Sequence, residues 1–579
     1  MNGAEKPSNP DPNIPPLHVG LTALACVCAF LGILYLYSPA LHGHFVFDDL
    51  SLPFCQISRG QALAGWVSGV RPVLMFSYWL NYQFWGAQPF SYHFVNLVIH
   101  TCNSALVFLI LLRLLRYAGW PQNRRLAASI AGALLFSVHP LQTESVSYIA
   151  GRSESLAALF LLLAYAVFLY RRRDAISWVE SAVVLLLFGL AVKTKENAVS
   201  LAGILILTDL YWPHAFSTSQ LRRNWRLYTL MVPGVIAAAA AIFRLLATAD
   251  TAGFSVATFK WYQYGFTEAR ALFTYIRLSI LPLGQSLDQD YPTSHTITEH
   301  GALGYLLLLV ALVSLSFIWR RRYPLFGFGL LMFLVWLAPT SSIVPIDDAL
   351  VERRMYLPLL GLILIGCEAA SRLRLSPAAG AIAVALIGLV FGKLCYDRNQ
   401  LWGEPDKLLE AAAANVVYNP RPLLNFTEIL LRQGRCDLAP AYLDRAEHKL
   451  PNNYYVNAAW GRTLACLGHF DQAVERLQTA SRLQPCTQAY EWLGLVYGQM
   501  GHQDLAGIAL KRAVQLGPDS QSAHGSLALW YEKASQLNDA EREYRKALSL
   551  DHSDSWAQIG LIRVHAMNPE RQATSREGT

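Results

Sequence analysis

Apolar residues in the first two thirds of the chain form long runs separated by short polar or basic segments. A run of about 20 apolar residues is the length that a helix needs to cross a bilayer. Several runs are shorter, so their ends must include flanking residues or be shielded by neighbouring helices. The pattern predicts an all-α, polytopic membrane bundle with about eleven spans, at 19–38, 92–113, 126–138, 154–170, 179–192, 198–212, 228–247, 302–319, 325–341, 355–371 and 377–395.

After Leu408 the pattern changes to a repeat with a period of 33 or 34 residues, carried by small residues. Two series of alanines keep this spacing: Ala439, Ala473, Ala506, Ala540 and Ala446, Ala480, Ala513, Ala547. The period and the Trp492-Leu-Gly494 segment with Tyr497 are typical of tetratricopeptide repeats, in which small residues let paired helices approach. Four units over 419–552 and a capping helix through about Val564 would form a solenoid whose concave surface binds polypeptide. A spacer or oligomerisation arm is the alternative.

Composition supports this two-part organisation. Of 579 residues, 54% are apolar and only 15% are charged, which is typical of a multi-pass membrane protein with a soluble part attached. Charged residues are sparse up to about Tyr396 and dense afterwards, so the boundary should lie between Tyr396 and Leu408. The predicted domains are a cytoplasmic tail (1–18), a membrane domain (19–396), a linker helix (397–418), the repeats with their cap (419–566) and a disordered tail (567–579).

Basic clusters indicate the orientation of the membrane domain. They fall in alternate loops, which the positive-inside rule makes cytoplasmic: Arg113/Arg116/Arg124/Arg125, Arg171 to Arg173, Arg222/Arg223/Arg226, Arg320 to Arg322 and Arg372/Arg374. The loops 39–90, 139–153, 193–197, 249–301 and 342–354, and the C-terminal repeats, then face the other side. Thr267 to Leu283 is interpreted as a surface-lying or re-entrant helix, because a twelfth span would move the Arg320 cluster outside.

Several function classes and targeting signals are disfavoured. The net charge of +7 lies mostly in these topological clusters, so nucleic-acid binding is not expected. The nine cysteines contain no CxxC pair or metal-like spacing, and the redox compartment cannot be read from them. The first apolar run, although followed by Ser38-Pro39-Ala40, is interpreted as an uncleaved anchor because many spans follow.

Five basic residues lie on the face that the positive-inside rule keeps poor in positive charge: Arg152, Lys193, Lys195, Arg353 and Arg354. A bound anion would explain them, and a lipid phosphate or pyrophosphate at the membrane edge fits the two-pronged donor geometry of arginine. The alternative is that they pair with the neighbouring Glu154, Glu196 and Glu352.

Two adjacent aspartates, Asp48 and Asp49, follow the first predicted span. Carboxylates at this position suit a base that deprotonates an acceptor arriving from water while a lipid-borne donor arrives from the membrane. Like-charge repulsion should raise one of the two pKa values. Two carboxylates could also hold Mg²⁺ or Mn²⁺, and the sequence leaves open whether a divalent cation is present.

These motifs together resemble the transmembrane and tetratricopeptide-repeat containing (TMTC) family of O-mannosyltransferases, which have the GT-C fold and bacterial relatives. The resemblance spans nearly the entire chain. It is carried by His42-Gly43 with Phe45 to Asp49, Arg71-Pro72, His93 to Asn96, His139 to Val146, Gly151 to Glu154, Lys193 to Glu196 and Glu352 to Pro358.

The resemblance implies transfer of a sugar, mannose in the family, from a polyprenyl-phosphate carrier to Ser or Thr hydroxyls of a protein. It implies Asp48 or Asp49 as the catalytic carboxylate. The candidates for the carrier phosphate or the pocket are Arg71, His139, Glu144, Arg152, Lys195, Glu196, Arg353 and Arg354. The repeats would bind the acceptor or a partner protein. Read without the resemblance, His93, His100 and His139 are hydrogen-bonded interfacial histidines at helix ends, and Asp290 lies in a solvated loop.

Two other functions are weighed against this one. A membrane-anchored repeat scaffold without catalysis would tolerate neutralisation of the external charges. A transporter for a lipid-linked saccharide would place its charges in mid-span, whereas here they cluster at helix ends. The expected location is a bacterial inner membrane with the site and repeats in the periplasm, and the alternative is an endoplasmic reticulum membrane with both facing the lumen.

Overall fold

A computed structural model of the protein describes residues 19–56, 63–171, 175–212, 216–248, 253, 260–373, 375–414, 416–550 and 554–567. Within these ranges the chain is helical and contains no strand, which confirms the predicted all-α class. The predicted cytoplasmic tail (1–18), most of the predicted disordered tail (568–579), and Arg172, Arg173 and Arg374 of the basic clusters lie outside the described residues.

The membrane domain contains seventeen helices within the described ranges. They are α1 Val19–Tyr37, α2 Pro53–Gln56, α3 Leu63–Val67, α4 Pro72–Trp85, α5 Pro89–Tyr117, α6 Gln122–Val138, α7 Thr143–Ser147, α8 Arg152–Leu169, α9 Trp178–Val192, α10 Ser200–Tyr211, α11 Ser219–Arg223, α12 Trp225–Thr248, α13 Trp261–Ile280, α14 Ala302–Ile318, α15 Pro324–Leu337, α16 Leu359–Arg372 and α17 Pro377–Gly403. Short 3₁₀ turns connect them at Ser38–His42, Phe47–Ser51, Pro140–Gln142, Glu196–Val199, Glu299–Gly301 and Glu352–Met355.

Each of the eleven predicted apolar stretches coincides with one helix. Among the described residues, however, only five helices are long and apolar enough to cross a membrane by themselves, namely α5, α8, α17, the Trp225–Arg244 part of α12, and α14 together with the turn before it (Glu299–Ile318). A sixth would be α6 together with the segment Pro140–Ser147, which is bent by 51°. Three shorter apolar helices, Cys26–His42, Trp178–Val192 and Pro324–Leu337, add to the bundle, and the count of eleven spans stays a prediction.

The long connection before α14 contains the helix expected there. α13 buries one face, including Thr267, Glu268 and Tyr275, against the bundle, while Trp261 and Ile280 at its ends are exposed. It is not among the helices that could span a membrane by length and composition. It starts at Trp261, before the predicted start at Thr267, and its interpretation as a surface-lying or re-entrant helix stays a prediction.

The two ends of the bundle differ in their polar contacts. At one end, Arg171 pairs with Asp209, and Arg372 pairs with Glu368 and also donates to the Arg322 carbonyl. At the other end, the loops that carry Asp48, Arg152, Lys195 and Arg353 contact one another. The two groups of charged residues thus form separate networks, and the orientation that the arginine clusters predict stays a prediction.

The repeat domain begins after α17, which continues through Gly403, so the helix end lies inside the predicted boundary interval. Within the described residues, four helix pairs and a flanking helix at each end form it: α18 Pro405–Ala414, α19 Arg421–Arg432, α20 Ala439–Lys449, α21 Tyr454–Cys466, α22 Phe470–Leu483, α23 Thr487–Gln499, α24 Gln503–Leu516, α25 Gln521–Lys533, α26 Leu537–Leu550 and α27 Ser555–Met567. The repeat alanines are fully buried between paired helices, because only a methyl group fits there.

A disulfide joins Cys436, in the turn after α19, to Cys466 at the end of α21. Their Cα atoms are 6.1 Å apart, which is within the usual range for a disulfide. Sequence spacing gave no sign of this bond, because a separation of 30 residues matches no short cysteine motif. The repeat period explains it afterwards, since it brings the end of the first helix of one unit beside the turn between the two helices of the preceding unit.

The repeat domain is docked onto the membrane domain by a polar junction. The Asp290 carboxylate accepts hydrogen bonds from three consecutive backbone N–H groups, those of Val417, Tyr418 and Asn419. Arg421 donates to both Asp288 and Asp348. Asp290 therefore holds the linker before α19, which corrects its interpretation as part of a solvated loop.

Candidate active site

The turn Phe47–Ser51 presents the two aspartates in opposite environments. Asp49 is fully buried, and its carboxylate accepts hydrogen bonds from the backbone N–H groups of Val46 (3.1 Å) and Ala150 (2.8 Å). Asp48 is exposed, and its backbone N–H donates to the Tyr148 hydroxyl at 3.0 Å. Burial raises the pKa of Asp49 to about 7, with only a smaller contribution from Asp48. Desolvation, rather than the expected like-charge repulsion, is thus the main cause.

The aspartate turn is a strained element held by its neighbours. Phe47 has a positive φ of 49°, a backbone conformation that residues other than glycine rarely adopt. Phe47 packs against the apolar cluster that includes Val46, Tyr148 and Trp402, and also against the apolar core of the first repeat. Strained backbone of this kind persists where surrounding contacts determine it, which is common at functional sites.

Tyr148 and Gly151 shape the segment that faces this turn. The Tyr148 ring stacks on Trp402, and burial raises the pKa of its phenol, with a further contribution from Asp48. A Cβ atom at Gly151 would lie 2.5 Å from the Glu144 carbonyl oxygen, so only glycine allows the tight turn that leads into α8. Sequence reasoning missed Tyr148, whose contact with Asp48 links positions 100 residues apart.

Arg152 lies beneath this turn and has no exposed surface. Its guanidinium donates to the Asn96 and Asn81 side chains at 2.6 and 3.0 Å and to the Tyr92 carbonyl at 3.0 Å. It also lies 4.6 Å from the centroid of the Tyr78 ring. These buried contacts favour a role in holding α4, α5 and α8 together and do not present Arg152 to a ligand.

Three other predicted site residues, Arg71, Lys195 and Glu196, take part in two ion pairs. Arg71 donates to both carboxylate oxygens of Glu196, at 2.9 and 2.8 Å. Burial acts to lower the pKa of Arg71, but Glu196 outweighs it and the pKa is raised. Lys195 pairs with Glu154, and burial lowers the pKa of its ammonium. Arg71 and Arg353 also lower this pKa, so both lie close enough to repel the Lys195 ammonium, while Glu154 acts to raise it.

The arginines of the Glu352–Met355 turn have separate partners. Arg353 donates to Glu144 through its side chain at 2.6 Å and its backbone N–H at 3.0 Å. Arg354 is almost fully buried and lies 3.7 Å from Glu268. Glu352 instead accepts hydrogen bonds from Gln285, Ser286 and Gln289. The alternative that these arginines pair with Glu352 is therefore not realised, and sequence reasoning missed Glu268 as a partner.

A small crevice of about 20 Å³ lies beside the Lys195–Glu154 pair, between α8, α10, α15 and the start of α16. Glu154, Asn197, Ser200 and Arg354 contribute its polar lining, and apolar residues such as Leu161 form the rest. The Trp336 indole N–H, which is also part of it, has no acceptor among the described residues. The volume is that of about one water molecule.

His139 is enclosed by protein contacts, although it was predicted to line a pocket. Its Nε2 atom is 2.9 Å from the Ser279 carbonyl oxygen, and its Nδ1 atom accepts from the Leu141 N–H. His93 contacts the Gly43 carbonyl, and His100 contacts Tyr356 and the Ser137 carbonyl. All three are therefore hydrogen-bonded to segments distant in sequence, and a position at the membrane interface stays a prediction for them.

The aspartate pair does not fit a shared divalent cation. Both carboxylate oxygens of Asp49 already accept backbone N–H groups, and Asp48 lies on the exposed side of the turn. In the part of the chain that the structure describes, no group of three or more His, Cys, Asp or Glu side chains could hold a metal ion. The sequence left the presence of Mg²⁺ or Mn²⁺ open, and this question stays untested.

The chain is similar to curated protein O-mannosyl-transferases. It is 21% identical over 560 residues to TMTC3 of Homo sapiens, covering 86% of this chain and 59% of that protein. A Caenorhabditis elegans protein O-mannosyl-transferase is 27% identical over 433 residues, 69% of this chain and 59% of its own. TMTC1 of Homo sapiens is 24% identical, covering 72% and 53%. The resemblance to the TMTC proteins is thereby confirmed, and the chain spans about three fifths of the length of these relatives.

No family model matches the chain. Two solved structures each match about a third of the chain. A TPR protein of Thermus thermophilus matches 32% of this chain and 95% of its own, with 22% identity and a TM-score of 0.26. The Pseudomonas aeruginosa protein pilF matches 30% and 79%, with 19% identity and a TM-score of 0.25.

Proposed function

We propose that the protein is a membrane-embedded glycosyltransferase that moves a sugar, mannose in view of its relatives, from a polyprenyl-phosphate donor to Ser or Thr hydroxyls of a protein. The observation that carries the proposal is the exposed residue Asp48 on a strained turn, in which the neighbouring Phe47 packs against the apolar core of the first repeat. The similarity to protein O-mannosyl-transferases over most of the chain supports the reaction class.

In the proposed reaction, Asp48 is the catalytic base. Its carboxylate accepts the proton of the acceptor hydroxyl while the hydroxyl oxygen attacks the anomeric carbon of the sugar. The bond between that carbon and the phosphate oxygen breaks, and its electron pair leaves with the polyprenyl phosphate. Attack and departure on opposite sides invert the anomeric carbon. Asp49 acts as a positioning residue, because its carboxylate fixes the turn through Val46 and Ala150.

The departing phosphate gains negative charge and needs a nearby cation. Arg71 and Arg353 are the best candidates, since their side chains are 39% and 27% exposed, whereas Arg152 and Arg354 are enclosed. Both would exchange part of their contact with Glu196 or Glu144 for the phosphate. Lys195 is less exposed but adds positive charge beside them.

The site and the repeats are proposed to face the non-cytosolic side. Two observations support this orientation. The basic clusters lie at the opposite end of the bundle, in agreement with the positive-inside rule. The Cys436–Cys466 disulfide also suits an oxidising compartment, and such bonds persist in the periplasm and in the endoplasmic reticulum lumen alike. The disulfide does not distinguish these two compartments, and of the two we propose the periplasm, as expected for a bacterial inner membrane.

A non-catalytic, membrane-anchored scaffold is the second candidate, and one observation favours it. Arg71, Lys195, Arg353 and Arg354 each have a carboxylate partner, so no bound anion is needed to balance them. A transport function has less support, because these charged residues lie at helix ends and in loops.

The decisive experiment measures transfer by the full chain in lipid nanodiscs. Radiolabelled polyprenyl-phosphate mannose and a Ser/Thr-rich acceptor protein are supplied, and label in the acceptor is counted. Asp48→Asn should reduce transfer by at least about a hundredfold, in line with removal of a general base. Asp397→Asn, an exposed carboxylate paired with Lys393, is the matched control and should transfer normally. Full transfer by Asp48→Asn would exclude Asp48 as the base, and absence of transfer by the unmodified protein would favour the scaffold.

A further inference from the structure

The repeat domain contains a groove of about 550 Å³. We define it by five of its lining residues: Arg432 on α19, Arg462 on α21, Trp492 on α23, and Trp530 and Lys533 on α25. These residues come from the first helix of each of the four pairs, which is where a solenoid presents its concave surface. The groove thus spans the whole array.

The charge of the groove is one-sided. Arg432, Arg462 and Lys533 line it, and no Asp or Glu is among the lining residues that the structure describes. One carboxylate, Glu428, serves both arginines, at 3.1 Å from Arg432 and in direct contact with Arg462. A second carboxylate near the groove, that of Glu491, accepts hydrogen bonds from the Ser522 and Ser526 hydroxyls and not from these arginines. Two guanidinium groups sharing one carboxylate leave a net positive charge.

Arg462 has further capacity to bind. Its Nε–H is buried and has no acceptor among the described residues. Its guanidinium carbon lies 4.4 Å from the centroid of the Trp492 ring, which fixes the planar group against an aromatic face. A buried donor without an acceptor is costly, and a carboxylate or carbonyl oxygen from a ligand would satisfy it.

Aromatic rings supply apolar contact area beside these cations. The Trp530 indole N–H donates to the Gln503 carbonyl at 2.9 Å, so the orientation of the ring is fixed. A Cβ atom at position 507 would lie 2.3 Å from this ring, and Gly507 is therefore needed for the ring to lie where it does. Fixed Trp and Arg side chains are the residues that most often dominate binding at protein interfaces.

We infer that this groove binds an extended, acidic segment of the acceptor protein, with Asp or Glu side chains at Arg432, Arg462 and Lys533 and apolar side chains against Trp492 and Trp530. The inference rests on the proposed function for the identity of the partner as an acceptor. Charge complementarity selects an acidic partner over a neutral or basic one, because a like-charged segment would be repelled.

The test measures peptide binding to the full chain in nanodiscs, without any sugar donor. The probe is a fluorescein-labelled peptide of about twelve residues that repeats Asp-Thr-Glu-Leu, followed by fluorescence anisotropy. Peptides that repeat Asn-Thr-Gln-Leu or Lys-Thr-Arg-Leu are the charge controls. The acidic peptide should bind at least about tenfold more tightly than either, and its affinity should fall as salt rises from about 50 to about 500 mM.

Variants locate the binding surface. Arg432→Gln with Lys533→Gln should weaken binding of the acidic peptide about tenfold, from two ion pairs each worth up to about fivefold. Arg482→Gln with Lys546→Gln removes the same charge from exposed positions outside the groove and should leave binding unchanged. Gly507→Ala should weaken binding by displacing the Trp530 ring, with the total charge preserved.

The outcomes separate this inference from the proposed function. Equal binding of the three peptides, equal effects of the two double variants, or binding that requires anionic lipid in the nanodisc would each overturn the inference. Asp48→Asn should bind the acidic peptide normally. If that peptide binds as expected but no mannose is transferred, the groove assignment stands and the enzymatic proposal fails. Transfer without selective binding gives the reverse conclusion.

Discussion

Arg421, on the first helix of the repeats, donates two hydrogen bonds of 2.6 Å each to Asp288 of the membrane domain. The same guanidinium donates to Asp348 at 2.7 Å, so one side chain links three segments. The carboxylates raise the pKa of Arg421 further above its ordinary value. The loop with Asp288 also supplies Gln285 and Ser286 to Glu352, next to Arg353. Repeat domain and candidate site are thus connected by a continuous polar network.

We predict that Arg421→Gln loosens this junction. Loss of a two-pronged, partly exposed ion pair should weaken the docking of the repeats by about 1 kcal/mol. Limited proteolysis should then cleave the linker faster than in the unmodified chain. Arg435→Gln, in the turn after α19, is the control and should leave the cleavage pattern unchanged. Equal resistance of Arg421→Gln and the unmodified chain would show that Asp290 and its three N–H groups suffice to hold the repeats.

Asp49 should make stability depend on pH. Its pKa is about 7 in the folded protein and about 3.9 in an unfolded chain, so the folded protein keeps a proton that the unfolded chain has lost. Stability from this group is therefore greatest near pH 4 and is lost as pH rises towards 7, by up to ~4 kcal/mol. Thermal unfolding in nanodiscs between pH 4 and pH 8 measures it. Asp49→Asn should flatten the slope, and an unchanged slope would assign it to another group.

The disulfide should protect two cysteines from alkylation. In the native protein, Cys436 and Cys466 should not react with iodoacetamide until a reductant is added, whereas Cys486 should react once the protein is unfolded. Reduction should destabilise the repeat domain by about 2–4 kcal/mol, the usual effect of opening a disulfide loop. Cys486→Ser is the control for thiol loss alone. Free thiols at 436 and 466 in protein isolated from membranes would contradict the orientation proposed for the repeats.

Arg152 and Arg353 should respond differently to substitution. Arg152→Lys removes a guanidinium held by buried acceptors and should lower stability by ~3 kcal/mol or more, since the acceptors lose their donors. Arg277→Lys, at an exposed position on α13, is the matched control. Thermal unfolding of the two variants compares them directly.

Arg353→Gln leaves buried Glu144 without its partner, so it is best combined with Glu144→Gln. If Arg353 binds the phosphate, the double variant should fold normally but have a KM for the lipid-linked sugar that is higher by about tenfold or more. An unchanged KM with normal folding would assign the Arg353–Glu144 pair to structure alone. Measuring KM and thermal unfolding together distinguishes the two roles.

Much of the helix layout was predictable from the sequence because apolar runs and the alanine period depend on local pattern. The eleven stretches and the four repeat pairs all coincide with helices. The number of true spans was not predictable, since short helices such as α10 depend on neighbours for their burial. The pairing of charges was also out of reach. Arg353 with Glu144 and Arg354 with Glu268 join residues far apart in sequence, whereas Glu352, the adjacent carboxylate, bonds to Gln285 and Ser286.

The aspartate pair shows the same limit at the candidate site. Two neighbouring Asp residues predicted like-charge coupling, but the backbone of the turn directs one inwards and leaves the other exposed. Only the fold brings Ala150 and Tyr148 to this turn, and it is their contacts that distinguish Asp49 from Asp48. The repeat groove had a clearer sequence signal, because Trp492 belongs to the repeat pattern itself.

Asp290 holds the entry to the repeats by three successive backbone N–H groups, which fixes the direction in which the solenoid leaves the membrane. A rigid exit of this kind keeps the groove at a constant offset from Asp48. In an acceptor bound to the groove, only hydroxyls at a fixed number of residues from the bound segment could then reach Asp48. Under the proposed function, selection of the modified Ser or Thr would then depend more on its distance along the chain from the bound segment than on the residues around it.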